Sequence, residues 1–482
     1  MRRLLPLLVL LALAGLPVAS ASALSYPVTK TTDSTGSGTL RWAIEEANTH
    51  GGADSIPVEA TGTIFLANAL PAVEGDLAIA GPGAQSLTLG RGPLAGSFRI
   101  LTISSGNVAL EGLEISEGDF DPGAGIYNGA GSLTLTRVAV VGNEARSESM
   151  LDAPARGGGI FSLGPLTVRE SVVSGNRATA TEGSGETDAD GGGIYAAGPL
   201  TIDLSTISGN SVLAEAGTEA SPAGGGVFAL GAGVLTGVTI TSNSVAGEGA
   251  AGSNLRLPGN LTLRDTIVAD PRGSGESCAG VADSGGYNLD EDGSCGLDEG
   301  SDVVGAAAGL DPVLRDNGGP TPTHALLAGS IAIDRGNSFG ATTDQRGLPR
   351  PADFPAIGNR EGGDGSDIGA FELQVPPPAP ASGGGPVLVT EQPSDRQPPN
   401  TRIVKGPARD GYETKAKFRF ASTEAQSSFQ CKVDKGRWEG CRNPYKRTVK
   451  PGKHLFKVRA IDRFGNVDPT PAQFGWRVKP LS

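Results

Sequence analysis

Aromatic residues make up only 5% of this 482-residue chain, and it holds just two methionines and three histidines. A compact helical enzyme fills one core with large side chains, so this composition argues against that class. No phosphate-binding loop, zinc-ligand spacing or nucleophile elbow occurs, which removes the specific sequence support for nucleotide, zinc and serine-hydrolase chemistry. After residue 18 no apolar run is long enough to cross a bilayer, so the mature chain is expected to have no transmembrane span. Cysteine is sparse, at four, and all four lie beyond residue 277.

The N-terminus supplies the one long apolar stretch. Arg2 and Arg3 precede Leu4 to Val18, and small residues follow to Ala23. That is the pattern of a signal peptide over residues 1–23, with the mature chain starting near Leu24. A secreted location, extracellular and in contact with the cell surface, suits the cysteines as staples. The expected pairs are the local ones, Cys278 with Cys295 and Cys431 with Cys441, because each closes a short loop within one folding unit.

Glycine, by contrast, is abundant: 74 residues. It punctuates a repeat whose turn asparagines, Asn143, Asn176, Asn210 and Asn243, recur every 33 or 34 residues. Aliphatic residues stand at fixed distances before each turn. Leu133, Leu166, Leu200 and Gly233 form one set, Leu135, Val168, Ile202 and Leu235 a second, and Val140, Val173, Ile207 and Ile240 a third. Spacing by two marks strands with one buried face, and recurrence at a constant period marks stacked copies of one unit. The expected fold is all-β: a parallel β-helix over residues 51–309, right-handed by the usual crossover preference. Asn at each corner is expected to take left-handed φ and to bond to the Asn of the next coil. The regular rungs are expected to end with 261–270. Residues 24–50 are expected to form a lead-in strand and a capping helix, with Leu40, Ile44 and Ala47 on its buried face.

The segments TTDSTGSGTLRWAIEEAN, TGTIFLANALPAV and LAIAGPG resemble the start of bacterial surface β-helix proteins of the polymorphic outer-membrane and pectin-lyase-like type. The run from SCAGVADSGGYNLDEDGSCGL to DIGAFEL resembles the choice-of-anchor Q module of secreted bacterial proteins. This resemblance implies a module over 310–373 that closes the β-helix, and an attachment signal of a kind this sequence lacks. A linker rich in Pro and Gly follows over 374–399. Residues 400–482 show short alternating strands and DKG and PGK turns; they resemble bacterial immunoglobulin-like β-sandwich modules, with Trp438 and Trp476 expected in the core.

Charge divides the chain. Residues 400–482 carry a net +12 and the remainder −25. A basic module outside the cell is drawn to polyanions, so the expected partners are an extracellular polysaccharide or an anionic cell-envelope polymer, and nucleic acid is not among them.

The candidate binding residues are the aromatic column Tyr127, Phe161, Tyr195 and Phe228. Each follows an inward aliphatic residue on its strand and is therefore expected to face out, where rings form a strip for pyranose faces. The reading is of a non-catalytic adhesion or carbohydrate-binding protein without a cofactor. The loops after each turn Asn hold ten acidic and three basic residues; as flexible solvated segments they offer calcium candidates at Asp188 and Asp190, with a further one at 289–299. The alternative function is a polysaccharide lyase or glycoside hydrolase built on Arg137, Arg169, Glu170 and Asp203, a set that equally makes surface ion pairs. A second polar group, His324, Asp334, Asp344, Arg346 and Asp367, is expected to tie loops together.

Overall fold

The computed structural model describes residues 22–147, 154–181, 188–215, 221–355, 357–374, 398–423, 427–436, 438–441, 443–461 and 467–479. Most of the stretch read as a signal peptide, most of the expected linker and parts of the expected acidic loops, at 148–153, 182–187 and 216–220, lie outside them. The chain divides into two units, Met1–Pro377 and Pro378–Ser482.

The first unit is a parallel β-helix. Each coil gives one strand to each of three long sheets, as Ile126–Asn128, Ser132–Thr136 and Ala139–Val141 do in one turn of the chain. These sheets hold seven, nine and ten strands. The register is the one the repeat dictates: Leu133, Leu166, Leu200, Gly233 and Leu261 pair in succession. Like residues therefore stack on like, and the aliphatic columns form one continuous interior. The stack runs past residue 270 through the two-residue strands Cys278–Ala279, Asp283–Ser284, Leu289–Asp290 and Val303–Val304, within the expected span of 51–309. Less regular turn spacing hides these rungs in the sequence.

At the corner after the ten-stranded sheet, the asparagines form a buried ladder. The Asn143 Nδ2 donates to Asn176 Oδ1, Asn176 to Asn210 and Asn210 to Asn243, each at 2.9 Å. The backbone N–H of each lower-numbered Asn donates to the same oxygen. The left-handed backbone, however, falls on the preceding residue, at Gly142, Gly175, Gly209 and Ser242, not on Asn. The turn places the Asn side chain inside the coil, where Gly125, Gly159, Gly193 and Gly226 of the facing segment leave room; a Cβ there would meet the amide at about 3 Å. In the next coil Pro271 takes the Asn position and Asn254 takes the glycine position, and Asn243 Nδ2 donates to Asn254 Oδ1 at 2.9 Å. The ladder thus survives by exchanging which side of the corner supplies the amide.

Beyond this corner the chain does not enter solvated loops directly. Glu144–Ser147, Arg177–Thr181, Ser211–Glu215, Ser244–Ala246 and Arg272–Gly273 form a fourth parallel sheet. Ala178, Ala180, Ala189, Val212 and Val245 give it a small core of its own. Alanine and valine among acidic residues read as loop in the sequence because each coil adds only one or two small apolar side chains.

The helix Leu40–Thr49 caps the N-terminal end, with Thr39 as N-cap and Leu40, Ala43, Ile44 and Ala47 buried. At the other end, Cys295 and Leu297 join the core beside Cys278, and the Cys278–Cys295 disulfide fixes them there. The 310–373 segment follows, and its Arg360 donates to Gly300 O and Asp302 O beside the last strand. It lies along the outer face of the ten-stranded sheet, across several rungs. Thr321 donates to Glu170 O, Thr206 to Gln345 Oε1 at 2.6 Å, and the Ala370 N–H to Thr239 Oγ1. His324 donates from Nδ1 to Asp311 O, so its Nε2 accepts from the Ser208 hydroxyl at 2.7 Å; burial lowers its pKa and keeps it neutral. Outward Thr and Ser on successive rungs make this flank a polar docking strip.

The polar residues of this strap tie loops together. Asp344 pairs with Arg346 and accepts from the Leu348 and Glu372 N–H groups; Asp367 accepts from Asp334 and Leu373. Its centre is a group the sequence did not reveal: buried Arg350 pairs with Asp265 of the β-helix and lies near Glu372, both buried with it. Burial, opposed by Arg350, pushes Glu372 up to about 8 and Asp367 to about 6.

The second unit has a three-stranded sheet, Thr401–Lys405, Lys415–Ser422 and Tyr445–Thr448, and a five-stranded sheet of Asp410–Gly411, Ala472–Val478, Gly452–Ile461, Ser428–Val433 and Glu439–Gly440. Phe418, Phe420, Phe456 and Trp476 fill the space between them. Cys431 and Cys441 are bonded as expected. Trp438 is not part of this core; it lies half-buried between Lys432 and Arg459, with the cations 4.8 and 4.5 Å from its ring centre.

Three stability measurements follow. Asn210→Ala strands the Asn176 and Asn243 amides and Val173 O in a dry corner, and urea unfolding is expected to show a loss of about 3 kcal/mol. Asn254→Gly is expected to destabilise alone and to be partly rescued by Pro271→Asn, which restores the pattern of the preceding coils. A carboxyl whose folded pKa is raised favours the folded state when protonated. That contribution is complete below the unfolded value and is lost as pH rises through the folded one. The first unit's melting temperature is therefore expected to fall between about pH 5 and pH 8, and Glu372→Gln to flatten that slope.

Candidate functional site

The aromatic column is real, and its geometry differs from the expected strip. Tyr127, Phe161, Tyr195 and Phe228 occupy one register position on successive coils and point away from the aliphatic interior. Their rings stack nearly parallel, with centroids 5.4, 5.0 and 5.1 Å apart. The faces between neighbours are thereby taken, leaving the ring edges along the column and one outer face at each end. The edges are largely covered too. Phe161 and Tyr195 are buried and the other two half-buried, because the glycine-rich step folds the chain over them. Gly157 and Gly224 approach so closely that a Cβ would lie within about 3 Å of the Phe161 and Phe228 Cβ atoms. The expectation of four exposed faces therefore fails on ring stacking and on the glycine step.

The column instead has an open end. Above Tyr127 lies the Arg99 guanidinium, 4.5 Å from the ring centre, and the same guanidinium lies 4.8 Å from the ring centre of Phe120. Phe120 is 46% exposed, which makes it the one substantially exposed aromatic ring of this stack. It lines a cleft of about 290 Å³ together with Ser97, Asp119, Asp121 and Arg146. The Ser97 hydroxyl donates to Asp119 Oδ2 at 3.2 Å, and the Arg156 N–H donates to Asp121 Oδ1 at 2.8 Å. Burial raises Asp121 to about 6, against the opposing bond from Arg156. Arg99 is lowered by burial, and its Nε has no hydrogen-bond acceptor among the described residues. Neither Arg99 nor Phe120 stands out in the sequence, since both precede the regular part of the repeat. The signal available was a Phe between two aspartates, shortly before Tyr127, in a protein with few aromatics.

The residues considered for catalysis form ion pairs on the surface. Arg137 bridges Glu111 and Glu170, and Arg169 pairs with Asp203 at 3.3 Å. The hydrogen bond that Arg137 donates to Glu111 raises the Arg137 pKa, the reverse of what a proton-abstracting arginine requires. The calcium candidates are also engaged. Asp188 accepts from the Ser221 N–H, and Asp190 is buried against Arg156 at 3.4 Å. In 289–299, Asp290 accepts from Gly293 and Cys295, and Asp292 from Ser277 and Ser294. These are turn-forming aspartates that hold the loop around the disulfide. Among the described residues no group of three or more His, Cys, Asp or Glu side chains is placed to hold a metal ion. No helix there is long and apolar enough to cross a membrane.

No family model and no curated protein sequence matches this chain. Among solved structures, the crystal structure of pectate lyase Pel9A is similar to it, with 13% identity and a TM-score of 0.30, over 73% of this chain and 97% of that one.

Proposed function

We propose that the chain is a secreted, non-catalytic carbohydrate-binding protein, with the first unit as its recognition surface. The observation that carries this reading is the cleft at the end of the aromatic stack. Phe120 offers an apolar platform of pyranose size, while Asp119, Asp121, Ser97 and Arg146 supply donors and acceptors beside it. The stack beneath holds Phe120 and Arg99 in place, so the platform is preorganised and little entropy is lost on binding.

A glycan array with the full chain tests this reading. Phe120→Ala is expected to abolish the strongest signal with no change in melting temperature. Tyr195→Ala is expected to cost about 3 kcal/mol of stability and leave the signal unchanged at temperatures where the protein is folded. Loss of binding in Tyr195→Ala alone would return the site to the column.

One observation favours a second reading, cleavage of an acidic polysaccharide. Asp121, raised to about 6, lines the cleft, and Arg99, lowered by burial, donates to the Asp121 carbonyl at 3.4 Å; the two resemble an acid and a base in waiting. Unsaturated uronides released from polygalacturonate by the wild type and not by Arg99→Ala would establish it.

A further inference from the structure

We infer that the outer face of the three-stranded sheet in the second unit is a binding site for an anionic glycopolymer. In the central strand, Lys415–Ser422, Ala416, Phe418 and Phe420 point into the core and Lys415, Lys417 and Arg419 point out. The neighbouring strands set further cations directly opposite: Lys405 pairs in register with Arg419, and Lys446 with Lys417. Residues paired across antiparallel strands share a face with Cβ atoms about 5 Å apart, and like charges at that distance destabilise a sheet. Acidic partners would relieve the repulsion. Among the described residues none of these five cations has a salt-bridge partner, although Lys479 and His454 of the same unit do.

The cations are arranged for an extended ligand. Alternate residues on a strand are about 6.8 Å apart, so Lys415, Lys417 and Arg419 form a straight row, widened by Lys405 and Lys446 into a band. Four of them line a groove of about 300 Å³ whose only acidic member is Glu413. A polymer bearing a carboxylate or phosphate on each repeat satisfies several cations at once, and release of its counterions supplies affinity. The face presents no aromatic ring between the charges, since Phe418, Phe420 and Tyr445 point into the core side of the same strands. Single-stranded nucleic acids depend on such rings for base stacking. A sugar-based polyanion needs only the charges, and this site is independent of the Phe120 cleft.

The test uses the full chain and measures binding to polygalacturonate, to poly(glycerol phosphate) and to neutral dextran over a range of salt. Binding to one or both anionic polymers and none to dextran is expected, and the stronger of the two identifies carboxylate or phosphate as the preferred group. Lys417→Gln with Arg419→Gln is expected to weaken binding at least tenfold at low salt and to reduce the salt slope by about 2. Lys453→Gln with Arg477→Gln, an equal charge change on the other sheet, is expected to leave both nearly unaltered, with melting curves confirming that both variants fold. Equal losses in the two variants would show attraction to net charge without a site and would overturn the proposal. Tighter binding of single-stranded DNA than of either polymer would overturn it as well.

Discussion

Everything in the first unit depends on one constraint: a buried asparagine amide must find its partners in the coils on either side. Each ladder amide donates to the next Asn and to a backbone carbonyl, as Asn176 does to Asn210 and Val140. An insertion of one residue between corners would bury unsatisfied groups in several coils at once and turn the inward columns outward. The constant period of the middle coils is the trace of that requirement. The exchange at Asn254 and Pro271 shows that the requirement is for an amide at a point in space, and that a sequence position is only one way to supply it.

The same stacking explains the aromatic column. Once register places like on like, outward rings on adjacent coils have to meet, and parallel stacking is how they do so. The column then transmits its rigidity to the first place where the repeat fails. There Arg99 and Phe120 continue the stack with different chemistry, and a cleft opens. Function is expected where a repeat ends, because only there does the surface stop being dictated by its neighbours.

What was legible in the sequence follows this division. Columns at constant spacing, the helical cap and both disulfides could be read because each involves a local or periodic pattern. The direction of Tyr127 and its counterparts was also legible, whereas their burial was not, since it depends on how tightly the glycine step folds back. The position of the strap was hidden for a related reason. Its contacts join residues far apart in sequence, such as Thr206 with Gln345 and Asp265 with Arg350, and an outward Thr on a strand looks like any solvent-facing Thr. Phe120 and Arg99 were missed because the reading followed the repeat and they lie outside it.

Charge is used in opposite ways in the two units. In the first, carboxylates outnumber guanidiniums in the strap, and Asp344, Asp367 and Glu372 are held by backbone N–H groups or by an arginine, so their charge serves to fix the chain. In the second, cations face one another across strands without acidic partners, so the fold bears a repulsion that it does not relieve internally. A sheet whose core already holds four large aromatic residues can tolerate that cost. The consequence is a difference in salt response between the two sites. Contact through Phe120 is dominated by apolar area and is insensitive to ionic strength, whereas contact through the basic sheet weakens steeply as salt rises. If both proposed sites act, one chain would be retained by charge at low ionic strength while the Phe120 cleft would keep its selectivity at high ionic strength.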